Sequence, residues 1–132
     1  MTEKFQIYKC EFCENMVEIT RCGSGQLICC GQPMQLCTEN RDETIRTSHI
    51  PVLERTSLGL MVRVGIIEHP MEQKHHIEWI EVIAEGMICR QFLRQGDTPS
   101  ALFDSRVSPT IVREYCNRHG LWRGYLVMND NR

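Results

Sequence analysis

Ile77-Glu-Trp-Ile-Glu-Val-Ile83 and Met87-Ile-Cys-Arg-Gln-Phe-Leu93, separated by Glu85-Gly86, decide the fold of this 132-residue chain. Both runs are short and rich in the β-branched and aromatic side chains that pack well on a pleated surface. Glu85-Gly86 between them reads as a hairpin turn. Upstream, Leu60-Met-Val-Arg-Val-Gly65 is a third run of the same kind, and downstream Gly96-Asp-Thr-Pro99 is another turn. Many short strands with turns between them predict a mainly β protein built as an antiparallel sandwich. Pro109-Thr-Ile-Val-Arg-Glu-Tyr115 fits a strand or a short helical turn, and periodicity does not choose between them.

Outside these strands the composition divides. Residues 1–37 hold six of the eight cysteines and no histidine, while residues 45–125 hold all five histidines. Thr38-Glu-Asn-Arg-Asp-Glu-Thr44 is free of apolar residues and reads as a linker. The expected organisation is a small metal-bound domain at 1–37, a linker at 38–44 and a β-sandwich domain at 45–132. A segment of about 40 residues needs a metal, disulfides or a partner to fold. Within it, Gly23-Ser-Gly25 marks a turn between short strands at 16–20 and 26–29.

The net charge is −2, with no basic run and no aromatic platform, which argues against nucleic acid as a partner. No apolar stretch approaches the length of a membrane span. The start, Met1-Thr-Glu-Lys-Phe-Gln, lacks the pattern of a signal peptide. Eight cysteines in such a chain point to metal binding in a reducing cytoplasm rather than to disulfides.

Cys10-Glu-Phe-Cys13 and the adjacent pair Cys29-Cys30 offer four thiolates. A Cys-x-x-Cys turn aims both sulfurs at one ion, whereas an adjacent pair chelates only with strain. Four thiolates suit either zinc or iron. Cys22 and Cys37 are then free thiols near the cluster, and Cys89 is a buried, inert thiol in an apolar strand.

The second cluster combines His49, His69, His75, Cys116 and His119. Five donors are one more than a closed zinc site uses, and they suit a redox metal such as iron with a sixth position left open. Pro70 restricts His69 to extended backbone, Pro51 stiffens the loop after His49, and Gly120 lets the chain turn after His119. His76 is left as a flanking surface residue.

Two blocks in the first segment, Tyr8-Lys-Cys10-Glu-Phe-Cys13 and Leu27-Ile-Cys29-Cys30-Gly-Gln-Pro-Met34, resemble the desulforedoxin-type domain of desulfoferrodoxins. Three further blocks resemble superoxide reductase: His49-Ile-Pro-Val-Leu-Glu54, His69-Pro-Met-Glu-Gln-Lys-His75-His-Ile-Glu-Trp-Ile-Glu81 and Arg113-Glu-Tyr-Cys116-Asn-Arg-His-Gly-Leu-Trp122. Together they are similar to the two-iron desulfoferrodoxins over nearly the whole chain.

The resemblance implies an immunoglobulin-like sandwich and two irons. One is held by Cys10, Cys13, Cys29 and Cys30. The other is ringed by His49, His69, His75 and His119, with Cys116 behind it and peptide N–H groups of residues 118 and 119 near its sulfur. It also implies a superoxide reductase that makes hydrogen peroxide, a rubredoxin-like one-electron donor and a homodimer. An enzyme acting on another small oxidant at the same iron, and a non-catalytic electron carrier, are the alternatives.

The chain departs from the family at two places. Glu14 stands where the family usually has Gly; if that position needs positive φ, Glu14 costs about 1 kcal/mol or more, unless Asn15 takes up the turn. Thr47-Ser48 stands where the family has Glu-Lys, whose lysine attracts superoxide and helps protonate the peroxide. Arg46 is the nearest substitute, since in an extended loop Arg46 and Ser48 face the same way. Catalytic roles are thus expected of Cys116, His119, Arg46 and Ser48.

Overall fold

The structure is a computed structural model that describes residues 1–124 and 129–130. The chain forms two compact units, Met1–Thr38 and Glu39–Arg132.

In the first unit, β1 (Ile7–Lys9) pairs with β2 (Met16–Glu18), β3 (Ile28–Cys29) pairs with β4 (Gln32–Pro33), and β5 (Gln35–Leu36) pairs with β1. The expected strands at 16–20 and 26–29 are shorter than read, and they belong to different sheets. The reason lies at Cys30-Gly31. Both residues have positive φ, 52° and 72°, as the central pair of a type I′ turn requires, so β3 folds directly back on β4. Buried apolar side chains are few here: Ile7, Cys10 and Ile19.

The second unit opens with a four-residue helix, α1 (Arg46–His49). Seven strands follow: β6 (Pro51–Thr56), β7 (Gly59–Val64), β8 (Ile77–Ala84), β9 (Met87–Phe92), β10 (Ser100–Phe103), β11 (Pro109–Cys116) and β12 (Gly120–Gly124). A two-residue strand, β13 (Asn129–Asp130), pairs in parallel with β6. One sheet has the order β10-β7-β6-β13 and the other β12-β11-β8-β9. Leu53, Leu60 and Val62 from the first meet Ile77, Ile80, Val82 and Val112 from the second in a closed apolar core, the sandwich that the strand runs predict. The Pro109–Tyr115 stretch is a strand because it lies inside its sheet, bonded to β8 and β12 on its two sides.

Two local expectations give way to the structure. Residues 39 and 40 of the expected linker join the sandwich: the Asn40 amide N–H bonds the Leu121 carbonyl at 2.7 Å, and Glu39 forms a parallel bridge with Leu121. A segment without apolar side chains can still dock through its backbone.

The 46–48 segment is helical rather than extended. Its turn is closed by Ser48 N–H to the Ile45 carbonyl and Ile50 N–H to the Arg46 carbonyl, and it ends where Pro51 forces Ile50 to be extended. At about 100° per residue, Arg46 and Ser48 point to nearly opposite sides.

The pairing of β8 with β11 positions the histidine and cysteine cluster. β8 begins just after His75-His76 and β11 ends at Cys116, with Cys116 opposite Ile77. Midway along this pair, Glu81 is fully buried between Arg113, whose Nε donates to it at 2.8 Å, and Arg90. Breaking such a buried pair by removing one partner costs about 3–5 kcal/mol, so the register that sets the site is well anchored.

Candidate metal centres

In the first unit, the sulfurs of Cys10, Cys13, Cys29 and Cys30 lie within 4.8 Å of one another. Cys13 Sγ and Cys29 Sγ are 3.5 Å apart, close to the roughly 3.8 Å edge of a tetrahedron with metal–sulfur bonds near 2.3 Å. The Cys-x-x-Cys turn is closed by Glu14 N–H to the Cys10 carbonyl at 3.0 Å and Cys10 N–H to the Asn15 carbonyl at 2.8 Å. Glu14 itself takes the left-handed conformation, with φ 67°.

Two thiols of the cluster are pulled in opposite directions. Backbone N–H groups of Cys13 and Phe12 pull Cys10 down to about 6, while Cys13 and Cys10 push Cys30 up to about 12. A cation at the centre removes that conflict, since a coordinating thiol is deprotonated outright. The donor set therefore fits the metal that its spacing implies.

In the second unit, the four imidazoles form a ring. Centroid separations around it are 4.5 Å (His49–His69), 4.6 Å (His69–His75), 5.0 Å (His75–His119) and 4.7 Å (His119–His49), and the His49–His75 diagonal is 6.1 Å. Adjacent rings stand nearly perpendicular in a near-square; ligand atoms of His49, His75, Cys116 and His119 lie within 4.8 Å of one another, and His69 Nε2 lies 3.1 Å from His49 Nε2. Cys116 Sγ lies 3.4 Å from His69 Nε2 and 3.8 Å from His119 Nδ1.

Each corner is set by its own local bonds. His49 Nδ1–H donates to the Ile45 carbonyl at 2.8 Å, which leaves Nε2 as the free donor. His69 Nδ1–H donates to the Pro70 carbonyl at 2.6 Å, with the same consequence. His75 sits in a tight turn, bonded through its backbone N–H and carbonyl to Glu72, and its Nε2 is buried with no hydrogen-bond partner among the described residues. His119 presents Nδ1, 3.0 Å from His49 Nε2, and its carbonyl accepts from Asn40 Nδ2 at 2.8 Å.

Burial favours the neutral form of three of these imidazoles. It pushes His69 down to about 4 and lowers His49 and His75, with neighbouring imidazoles adding to the shift. Burial pushes the Cys116 thiol up, opposed by the N–H groups of Arg118 and His119. Imidazole nitrogens converging on a sulfur, one of them a buried acceptor without a partner among the described residues, form a cation site. Four imidazoles and a thiolate suit iron, and the four thiolates suit a second iron.

The Arg46 side chain lines a cleft of about 460 Å³ together with Glu39, Glu43, Trp122 and Arg123. Ser48 Oγ donates to the Ile45 carbonyl at 3.1 Å and lies 3.0 Å from His49 Nδ1, on the outer side of that ligand. Cys22 is exposed, while Cys37 and Cys89 are half-buried, and burial raises the Cys37 thiol. His76 is half-buried and bonds the Glu72 carbonyl.

Sequence reasoning missed two buried neighbours. Trp122 stacks on His49 at 4.9 Å and 23°. Glu114, its cross-strand partner, is fully buried with neither oxygen bonded among the described residues, and burial drives its carboxyl toward the neutral form. Strand register brings both to the site, and no spacing rule shows that in advance.

Fold and donor sets define a non-haem protein with two mononuclear iron centres. Family models give the narrower placement: the desulfoferrodoxin N-terminal domain matches residues 2–37, and desulfoferrodoxin matches residues 40–125. The chain belongs to the desulfoferrodoxin family. It is 52% identical to a desulfoferrodoxin of Syntrophotalea carbinolica over 92% of this chain and 97% of that protein. A superoxide reductase of Pyrococcus horikoshii is 33% identical, over 61% of this chain and 91% of that protein. The crystal structure of the superoxide reductase from Treponema pallidum shares the fold, with a TM-score of 0.74 at 22% identity over 93% of this chain and all of that one.

Proposed function

We propose that the protein reduces superoxide to hydrogen peroxide at the five-donor centre, consuming one electron and two protons per superoxide. The ring of four imidazoles closed by the Cys116 sulfur carries this reading. His49, His69, His75, His119 and Cys116 would hold an iron there, which would supply the single electron.

The chain's own groups do the rest. Imidazole nitrogens bring no negative charge, so a metal held by them would keep positive charge for an anionic substrate. The Cys116 thiolate donates electron density, and the N–H groups of Arg118 and His119 at its sulfur moderate that donation. His119 joins the thiolate through a three-residue turn that ends at Gly120, whose φ is 79°. Lys74 precedes His75 and Arg118 precedes His119 in sequence, and both supply positive charge near the ring; Arg46 supplies more from the cleft beyond Trp122. Ser48 acts on His49 from outside by sharing the Ile45 carbonyl.

The four-cysteine iron serves as an electron relay or reserve, and a rubredoxin-like one-electron donor completes the cycle. A homodimer is supported by apolar side chains that the small first unit leaves exposed, Phe12 at 71% and Ile28 at 56%. A cytoplasmic location rests on the metal-binding reading of the cysteines. No helix among the described residues is long and apolar enough to cross a membrane.

Product stoichiometry tests the reading. Under a steady superoxide flux with a reductant, one hydrogen peroxide should form per superoxide without dioxygen release. Oxygen release at half the superoxide consumed would mean dismutation. No consumption would favour another small oxidant, a reading that the Thr47-Ser48 departure makes specific.

A further inference from the structure

We infer that Asn117 is a positioning residue that clamps the His75 loop to the Cys116–His119 turn and so controls how firmly the five-donor centre holds its metal. Its side chain makes two bonds that bracket His75. Oδ1 accepts from the His76 backbone N–H at 2.9 Å, and Nδ2 donates to the Lys74 carbonyl at 3.1 Å. The Asn117 backbone N–H adds a third bond, to the His76 carbonyl at 3.1 Å. One residue of the Cys116–His119 turn therefore holds both neighbours of a ligand on the other loop.

The clamp sits where strand pairing stops setting the geometry. β8 and β11 run in register from Ile111 to Tyr115, and the register shifts between Tyr115 and Cys116. Beyond that irregularity the β8–β11 pairing ends with Cys116 opposite Ile77, and no pair of it reaches His75 or His119. An asparagine side chain is suited to take over. It carries an acceptor and a donor on one planar group, as a backbone peptide does, so it pairs with an N–H and a carbonyl two residues apart. Serine lacks the reach, and aspartate lacks the donor.

The His75 ring itself receives no such support. Its Nε2 is directed to the centre without a hydrogen-bond partner among the described residues, so its placement depends on the backbone at residues 74–76. Loss of the clamp should loosen the His75 nitrogen and shift the Cys116 sulfur relative to the ring. Outer-shell partners of metal ligands typically affect metal retention by about 10–100-fold.

The test uses the full chain loaded with both irons, so the four-cysteine iron is an internal reference. Iron transfer to a strong ferrous chelator is followed together with the ferric sulfur-to-iron absorption band. Asn117→Ala should release the five-donor iron at least about ten-fold faster and shift that band, while the four-cysteine iron leaves at the wild-type rate. Asn117→Asp keeps the bond to His76 N–H and should fall between. Val82→Ala removes buried volume from the core, away from both loops, and should release iron as wild type does.

Wild-type release from Asn117→Ala overturns the inference. Equal acceleration by Val82→Ala also overturns it, because release would then follow general stability. If Asn117→Ala does not fold, Asn117→Asp decides: faster release and a shifted band support the clamp, and wild-type behaviour rejects it. None of these readings depends on superoxide being the substrate.

Discussion

His49 Nε2 and His69 Nε2 lie 3.1 Å apart with no proton between them. Each ring has committed its proton on the far side, His49 to the Ile45 carbonyl and His69 to the Pro70 carbonyl. Two lone pairs so placed repel unless a cation lies between them. The ring is thus built for its metal. His69→Ala should lower iron from two per chain to one, leaving the four-cysteine absorption intact. Metal analysis showing two irons in the variant would count against His69 as a ligand.

Cys116 is fully buried and is the one soft donor of its centre. Cys116→Ser exchanges a strong donor for a weak one while the four imidazoles remain. Superoxide reduction should fall by about 100-fold or more, beyond the range of outer-shell changes, with the far-ultraviolet circular dichroism preserved. A normal rate in this variant would remove the thiolate from the account.

Glu14 holds a left-handed backbone, φ 67°, at the corner of the Cys-x-x-Cys turn. A residue with a Cβ costs about 1–2 kcal/mol there, and glycine does not. Glu14→Gly should stabilise the first unit by about 1 kcal/mol, less the extra entropy that glycine gains in the unfolded chain. Denaturant unfolding followed at the four-cysteine absorption band measures this. An unchanged or lower midpoint would show that Glu14 contributes more than its conformation costs, for example through the 3.9 Å pair with Lys9.

Ser48 offers no charge to an anion. Ser48→Lys should therefore raise the rate of superoxide capture, more at low ionic strength than at high. Arg46 lies in a cleft beside Glu39 and Glu43, acids that offset part of its field. Arg46→Ala should lower capture by less than Ser48→Lys raises it. Rate constants across a salt series decide both, and a sharp loss on Arg46→Ala would make Arg46 the principal steering charge.

These variants also mark what the sequence makes legible. Ligands are readable because coordination uses side-chain identity, and because Pro70 and Gly120 announce constrained backbone beside them. β8 and β9 are readable because Glu85-Gly86 punctuates two apolar runs. The β3–β4 hairpin is hidden because its turn pair, Cys30-Gly31, looks like a ligand and its neighbour. α1 is hidden because a four-residue helix owes nothing to propensity; it is closed by contacts, among them the His49 bond to Ile45. Asn117 and Trp122 depend on strand register and on a bulge at Cys116, which are tertiary facts.

Rapid mixing of the fully reduced, two-iron protein with superoxide tests the central claim most directly. The account predicts second-order oxidation of the five-donor centre, seen as growth of its ferric sulfur-to-iron band, with one hydrogen peroxide formed per iron oxidised. The four-cysteine centre should oxidise later or not at all. A five-donor centre that stays reduced while superoxide decays at its spontaneous rate would contradict it.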